Sequence, residues 1–372
     1  MSDRQEQRAG DNSQLIQAGT LKQADVINNF NIIGVDENKA REIALEVSKH
    51  AIAEYTSEAS DIAQKRINVF SDMLIPRIEK IEHGLEAFAA PAFQVLMKKA
   101  QITAACTERE GDYKILSELL AHRIENREDR KIATSISKAV EIVDQIDDDA
   151  LCALTVCHCI NYLTPITGGI NDGLAVLNSM FEKLNYMELP SNMLWLGHLE
   201  ELGTIRSSQF SRLTKIVDLY YNKLSGYVCT GLKKDSEQLT KAIDILKSNS
   251  LPLAFLVPHD LLEDYFRIPV PNKEQIKTCK YSPNYGRDWV SLNTTQINAL
   301  EEIWGLYEVD NNLKERVRQK FFEKWDSFET LAKMKKWYDN IPYGFSITSI
   351  GMMLAHANAQ KYDYAIPDFK YD

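Results

Sequence analysis

The sequence predicts a mainly α protein: an N-terminal β-arm, a long helix leading into a helical bundle, and a smaller C-terminal α(+β) unit. Three observations predict it. Apolar residues recur at helical spacing over most of residues 36–340. The first 34 residues break that pattern, running from the polar Gly10-Asp11-Asn12-Ser13 into a partly alternating stretch that ends at Gly34. Prolines 252, 258, 269, 271 and 283 interrupt it again. The chain therefore divides into a β-arm (1–34), a helical domain (35–250), an irregular proline-rich connection (251–290) and a C-terminal helical unit (291–372).

The arm carries Leu15, Ile16, Val26, Ile27, Phe30, Ile32 and Ile33 among asparagine and glycine. An isolated arm can neither bury such residues nor pair its own edge. Self-association through this segment is expected, giving a homo-oligomer. Asp36 then caps a helix whose apolar positions Ile43, Val47, Ala51, Tyr55, Ala59, Ile62, Ile67, Phe70 and Leu74 run to Pro76. A single helix of that length spans about 57 Å at 1.5 Å per residue.

Further helices are expected over 91–107, around Ile115, Leu119 and Ile124 after a turn at Gly111-Asp112, and over 132–143, 151–163, 173–183, 193–202, 208–221 and 236–248. Beyond the prolines, Asn293 with Gln296 three residues on is close to a capping box. One helix is expected over 311–338, a short strand at 345–348, and a last helix over 349–361.

The formal charge is −10, from 43 basic and 53 acidic residues, which disfavours general nucleic-acid binding. A hydrophobic fraction of 44% fills real cores, excluding wholesale disorder. No apolar run approaches the roughly 20 residues of a membrane-spanning helix. Cys152, Cys157 and Cys159 share one apolar helix, where cysteine serves as a small buried hydrophobe. Residues two apart on a helix diverge, so Cys157 and Cys159 do not converge on one ion. Reduced thiols in so long a chain imply a cytosolic protein.

His259, Asp260, Glu263 and Asp264 form an acid–base grouping beside Pro258, where a first helical turn explains the acidic residues equally well. No glycine-rich phosphate loop, dinucleotide fingerprint or nucleophile elbow occurs. No catalytic, cofactor-binding or metal residue is assigned. The basic helix 314–336 presents Lys314, Arg318, Lys320, Lys324, Lys335 and Lys336 as a face for an anionic partner.

The arm motif Gly10-Asp11-Asn12-Ser13, the step Asn31-Ile32-Ile33-Gly34, the block Phe88-Ala89-Ala90-Pro91-Ala92-Phe93 and the ending Ile347-Thr348-Ser349-Ile350-Gly351 with Ala355, Ala357 and Asn358 resemble a family of uncharacterised bacterial proteins with such an arm and a helical body. Its motifs are turn and packing residues, so the resemblance implies no activity. Similar arms occur on bacterial proteins that look like parts of defence or accessory loci. The leading expectation is a non-enzymatic, homo-oligomeric interaction or scaffold protein of the bacterial cytosol, in an anti-phage or accessory setting. Two alternatives stay open: a nucleic-acid-binding regulator using helix 314–336 within a winged-helix-like C-terminal unit, and an effector enzyme with a site near 259–264.

Overall fold

The computed structural model describes residues 35–53, 55–208, 210–282 and 289–368. The arm residues Leu15, Ile16, Val26, Ile27, Phe30, Ile32 and Ile33 lie outside the described residues. The described chain is mainly helical with small antiparallel sheets, as the periodicity predicts. It forms two compact units, one of residues up to 146 together with 367–368, the other of residues 147–366. This division does not coincide with the expected boundaries at 34, 250 and 290. The division falls inside the anticipated 35–250 domain, and the C-terminal segment belongs to the second unit because its strand and last helix pack on residues 147–208.

The first unit contains α1 (Glu37–Ala51), α2 (Ser57–Glu79), a 3-10 turn (Gly84–Ala89), α3 (Pro91–Cys106), α4 (Glu110–Glu125) and α5 (Arg130–Ile142). Asp36 caps α1 as expected, its carboxylate accepting the Lys39 N–H at 2.8 Å. The single long helix is not formed. The chain turns after Ala51, Ile52 leaves helical geometry, and Arg41 near the start of α1 pairs with Asp72 near the end of α2 at 2.9 Å. The two halves are therefore antiparallel.

A straight helix cannot fold its apolar stripe onto itself, whereas this hairpin buries Ile52 with Ala63, Ile67 and Ala105. The helix also passes through Pro76 to Glu79, since the missing N–H deprives only the exposed Asp72 turn of a partner. Gly111 lies within α4 rather than in a turn before it. Phe88 and Phe93 meet edge to face at 5.2 Å across Pro91, the first residue of α3.

The second unit is built around α6 (Asp148–Tyr162), buried from Ala150 to Ile160. It continues with α7 (Ile170–Leu184), α8 (Leu194–Glu201), β1 (Ile205–Ser208), α9 (Ile216–Lys223), β2 (Leu232–Lys233), α10 (Glu237–Ser248), β3 (Val257–Pro258), β4 (Tyr265–Arg267), β5 (Lys280–Tyr281) and β6 (Val290–Ser291). The chain ends with α11 (Thr294–Gly305), α12 (Asn311–Asp326), α13 (Glu329–Asp339), β7 (Gly344–Ile347) and α14 (Ser349–Tyr362). α14 packs along α6, and the sheet order is β2-β4-β3 with separate pairs β1-β7 and β5-β6. α10, α11 and the neighbouring loops close a second core around Leu246, Ile268, Leu300 and Ile303.

Three further expectations are corrected here. The 208–221 helix starts only at Ile216, since residues 205–208 pair with β7. The 311–338 helix is two helices: Phe328 is extended and the Trp325 indole N–H donates to Leu331 O at 3.1 Å, so both apolar faces are buried. The winged-helix form is absent among the described residues 291–368, where no two strands pair with each other. The expected strand near 345–348 exists as β7, but its partner is β1. The capping box at Asn293 is formed, with both reciprocal hydrogen bonds.

Candidate ligand-binding cleft

The cleft forms where a two-stranded ribbon meets an irregular loop. α8 stops at Gly203, whose φ of +68° is a left-handed conformation that glycine adopts without strain. Thr204 then returns both its N–H and its hydroxyl to Leu199 O, at 2.9 and 2.8 Å. The chain leaves as β1, with Arg206 opposite Ser346 and Ser208 opposite Gly344 on β7. Period-two alternation puts Ile205, 1% exposed, on the core side and Arg206 and Ser208 on the other.

A turn follows, in which the Ser211 N–H donates to Ser208 O at 3.2 Å. Gly344 donates its N–H to Ser211 O at 2.8 Å, laying the loop against β7. Glycine suits this approach: a Cβ at 344 would stand 2.3 Å from Ser211 Oγ, so the serine side chain would have to turn away.

Asn161, at the end of α6, and Tyr338, on α13, complete the walls of a cleft of about 320 Å³. Burial pushes the Tyr338 hydroxyl up, so it is a neutral hydrogen-bonding group here. Arg206, Arg212, Ser208, Ser211, Thr214 and Ser346 also line the cleft, and no carboxylate is among its lining residues. Both arginines are exposed, and among the described residues neither has an ion-pair partner. Nearby cations are engaged: Arg318 with Asp218 at 2.7 Å, and Lys215 with the Asp339 carbonyl. Two fixed guanidinium charges over several hydroxyl donors can hold an anion.

His259 does not begin a helix; Pro258 ends a short strand, and the His259 N–H donates to Tyr265 O at 2.8 Å. Its ring bridges Cys229 O at 2.8 Å and the Leu261 N–H at 3.1 Å. Burial depresses its pKa to about 4, and the ring is neutral. Asp260 pairs at 2.8 Å with Arg267, a fully buried side chain that also donates to Gly168 O. Glu263 and Asp264 are exposed. The grouping is thus a structural knot.

Cys152, Cys157 and Cys159 are buried and unbonded to one another. Burial pushes the Cys152 thiol up to about 12 and the other two higher. Beside them His158, buried, lies 3.2 Å from His356 of α14.

Of the expected anionic-partner face, Arg318 and Lys335 are paired with Asp218 and Asp326, while Lys320 donates to Leu261 O at 3.1 Å. Lys314, Lys324 and Lys336 complete the set; the break at Phe328 divides it between α12 and α13. One group with metal-ligand spacing exists among the described residues, His122, Glu125 and Asp368 in the first unit. The Arg77 guanidinium, 3.7 Å from Glu125 and 4.0 Å from Asp368, supplies positive charge there already.

Sequence reasoning missed Arg206 because it fell between the helices expected over 193–202 and 208–221, and Arg212 because residues 208–221 read as one helix. The alternation of Ile205 with Arg206 after Gly203 is the one local hint, and it is too short to register as a strand.

The terminal motif that resembled a family ending is accounted for by position. Thr348 donates its N–H to Thr204 O at 2.9 Å and caps α14 by accepting the Gly351 N–H at 3.2 Å, while Asn358 donates to Thr155 Oγ1 of α6 at 2.9 Å. A protein-family model whose description names no activity matches residues 34–367. No curated protein and no solved structure matches the chain.

Proposed function

The chain belongs to that uncharacterised family, matched over residues 34–367, and on this footing we propose that it is a non-enzymatic interaction protein whose second unit captures an anionic group in the β1–β7 cleft. The observation that carries the reading is the pair Arg206 and Arg212, exposed over hydroxyls and without ion-pair partners among the described residues. Two cations lining one cleft with no carboxylate beside them raise the local positive potential, which draws anions. His259 and Asp260 are engaged in structural bonds, which weighs against a catalytic site built on them.

Self-association through Leu15, Ile16, Val26, Ile27, Phe30, Ile32 and Ile33 accompanies this role and makes the binding unit multivalent. The cytosolic setting rests on six cysteines that form no disulfide. No helix among the described residues is long and apolar enough to cross a membrane.

Melting temperatures measured at constant ionic strength test the anion reading. Multivalent anions such as phosphate or citrate raise the melting temperature over chloride in the wild-type protein, by mass action on the folded state. Arg206→Ala with Arg212→Ala abolishes the rise. A rise that persists in the double variant, or none in the wild type, overturns the reading. Light scattering on the full chain and on a chain starting at Asp36 tests self-association, and equal monomeric masses refute it.

A further inference from the structure

His122, Glu125 and Asp368 of the first unit form a group whose ion pairs do not account for its charge. His122 and Glu125 stand three residues apart at the end of α4, so their side chains leave one face of the helix. Asp368 reaches them from the C-terminal segment that belongs to the same unit. One ligand atom from each of the three lies within 4.8 Å of the others. His122 is 1% exposed, whereas Glu125 and Asp368 reach the surface. A buried imidazole beside two surface carboxylates supplies one nitrogen and two oxygen donors. That mixed set suits a first-row divalent cation better than calcium or magnesium, which take oxygen ligands.

Charge is the second observation. Arg77 of α2 is shared by three carboxylates. Its short bond goes to Glu118, at 2.8 Å, while it stands 3.7 Å from Glu125 and 4.0 Å from Asp368, beyond hydrogen-bond distance. One guanidinium against three carboxylates leaves negative charge in excess, where the Glu118 and Glu125 side chains are only 12% and 24% exposed. Burial first, and then the charge of Asp368, pushes the Glu125 carboxyl up in spite of Arg77. A further positive charge is favourable at such a place.

Access is the third. Glu125 also lines a surface cleft of about 630 Å³, together with Glu82, Glu128 and Asp129. Arg127, in the same lining, gives its guanidinium to Ile124 O at 3.1 Å and to His83 O at 2.8 Å. Carboxylates in excess along a cleft draw cations toward it.

We propose that His122, Glu125 and Asp368 form a binding site for a divalent transition-metal cation of the zinc type. Bonds of about 2.1 Å set tetrahedral ligand atoms roughly 3.4 Å apart, so the carboxylates close on the imidazole by about 1 Å when the ion binds. Glu125 and Asp368 supply that movement by rotamer change at the surface, while the buried imidazole stays in place. Three protein ligands leave a fourth position for water. The bound ion ties residues 367–368 to α4. This site is independent of the anion reading, which stands or falls on its own variants.

Isothermal titration with zinc chloride tests the proposal, on the full chain stripped of metal by a chelator. The protein carries Cys106→Ser, so that the exposed thiol takes no zinc. One equivalent binds, and Glu125→Gln and Asp368→Asn each weaken it about tenfold or more. Both side chains reach the surface, so these variants keep the parent melting temperature without zinc. Zinc raises the melting temperature of the parent and not of the variants. His122→Asn abolishes binding, and the two carboxylate variants carry the test if that buried change unfolds the protein. His83→Asn removes the imidazole that pairs with Glu86 at 2.9 Å beside the cleft, and leaves zinc affinity unchanged. No stoichiometric zinc, or zinc binding indifferent to Glu125 and Asp368, overturns the proposal. So does binding that is lost with His83, or magnesium that displaces zinc at equal concentration.

Discussion

Acid should unfold the second unit, and the cause is two buried imidazoles. His158 is wholly buried on α6 with His356 against it, and burial first, then the charges of His356 and Lys223, depress its pKa to about 3. His259 is 5% exposed, and burial holds it at about 4. In the unfolded chain both titrate near 6.5. A histidine whose pKa is depressed by folding contributes its stability above the unfolded value, and loses it as pH falls toward the folded one.

Between pH 7 and pH 5 the unfolded chain gains a proton at each ring that the folded unit cannot accept, which costs about 2 kcal/mol per histidine and about 4 kcal/mol together. That is a large fraction of an ordinary domain's stability. All five tryptophans lie between residues 195 and 337, so indole fluorescence during urea unfolding reports this unit alone. In the first unit Glu125 and Asp144 are shifted the other way, upward by burial, and those groups stabilise it as pH falls.

His158→Gln or His259→Gln removes about half of the pH dependence, and the double variant removes most of it. Unchanged stability between pH 7 and pH 5, or a double variant as acid-sensitive as the wild type, refutes the reasoning.

Three other outcomes follow from the packing. Arg267→Met removes the partner of Asp260 and the donor to Gly168 O, and costs about 3–5 kcal/mol by urea unfolding; a loss under 1 kcal/mol contradicts the knot. Gly351→Ala would set a Cβ 2.1 Å from Thr204 O and lowers stability by about 1–3 kcal/mol, since the backbone of β1 must move; a stabilised variant would show that the gain in helix propensity wins. In thiol titration of the native protein Cys106 reacts, being exposed, whereas Cys152, Cys157 and Cys159 react only on unfolding. Cys157→Ala costs about 1 kcal/mol, and fast native labelling of that thiol would refute its burial.

Capping and periodicity are local, and residues that act locally behave as the sequence indicates. Asp36 and Asn293 cap their helices because a side chain three residues from an orphan N–H reaches it whatever lies beyond. The buried cysteine helix is equally legible, since Ala150 to Ile160 is apolar on every side and can only be enclosed.

The breaks are different. Ile52 and Phe328 interrupt helices that the periodicity would continue, and the helix expected over 208–221 starts only at Ile216, because in each case a packing contact outweighs helix propensity: α1 folding back on α2, the Trp325 indole reaching Leu331 O six residues on, and β1 pairing with β7 across 142 positions, Ile205 to Ile347. Propensity amounts to tenths of a kcal/mol per residue, while burying one large apolar side chain is worth several times more.

By itself, then, the sequence determined the mainly helical class, most of the helices, the caps, and the burial of Cys152, Cys157 and Cys159, all of which are legible from patterns within a few residues. Only the tertiary structure decided the division at residue 146, the neutral structural role of His259, and the cleft of Arg206, Arg212 and Ser346. Those depend on which distant segments meet, and a two-residue alternation such as Ile205-Arg206 acquires its meaning only when β7 lies beside it.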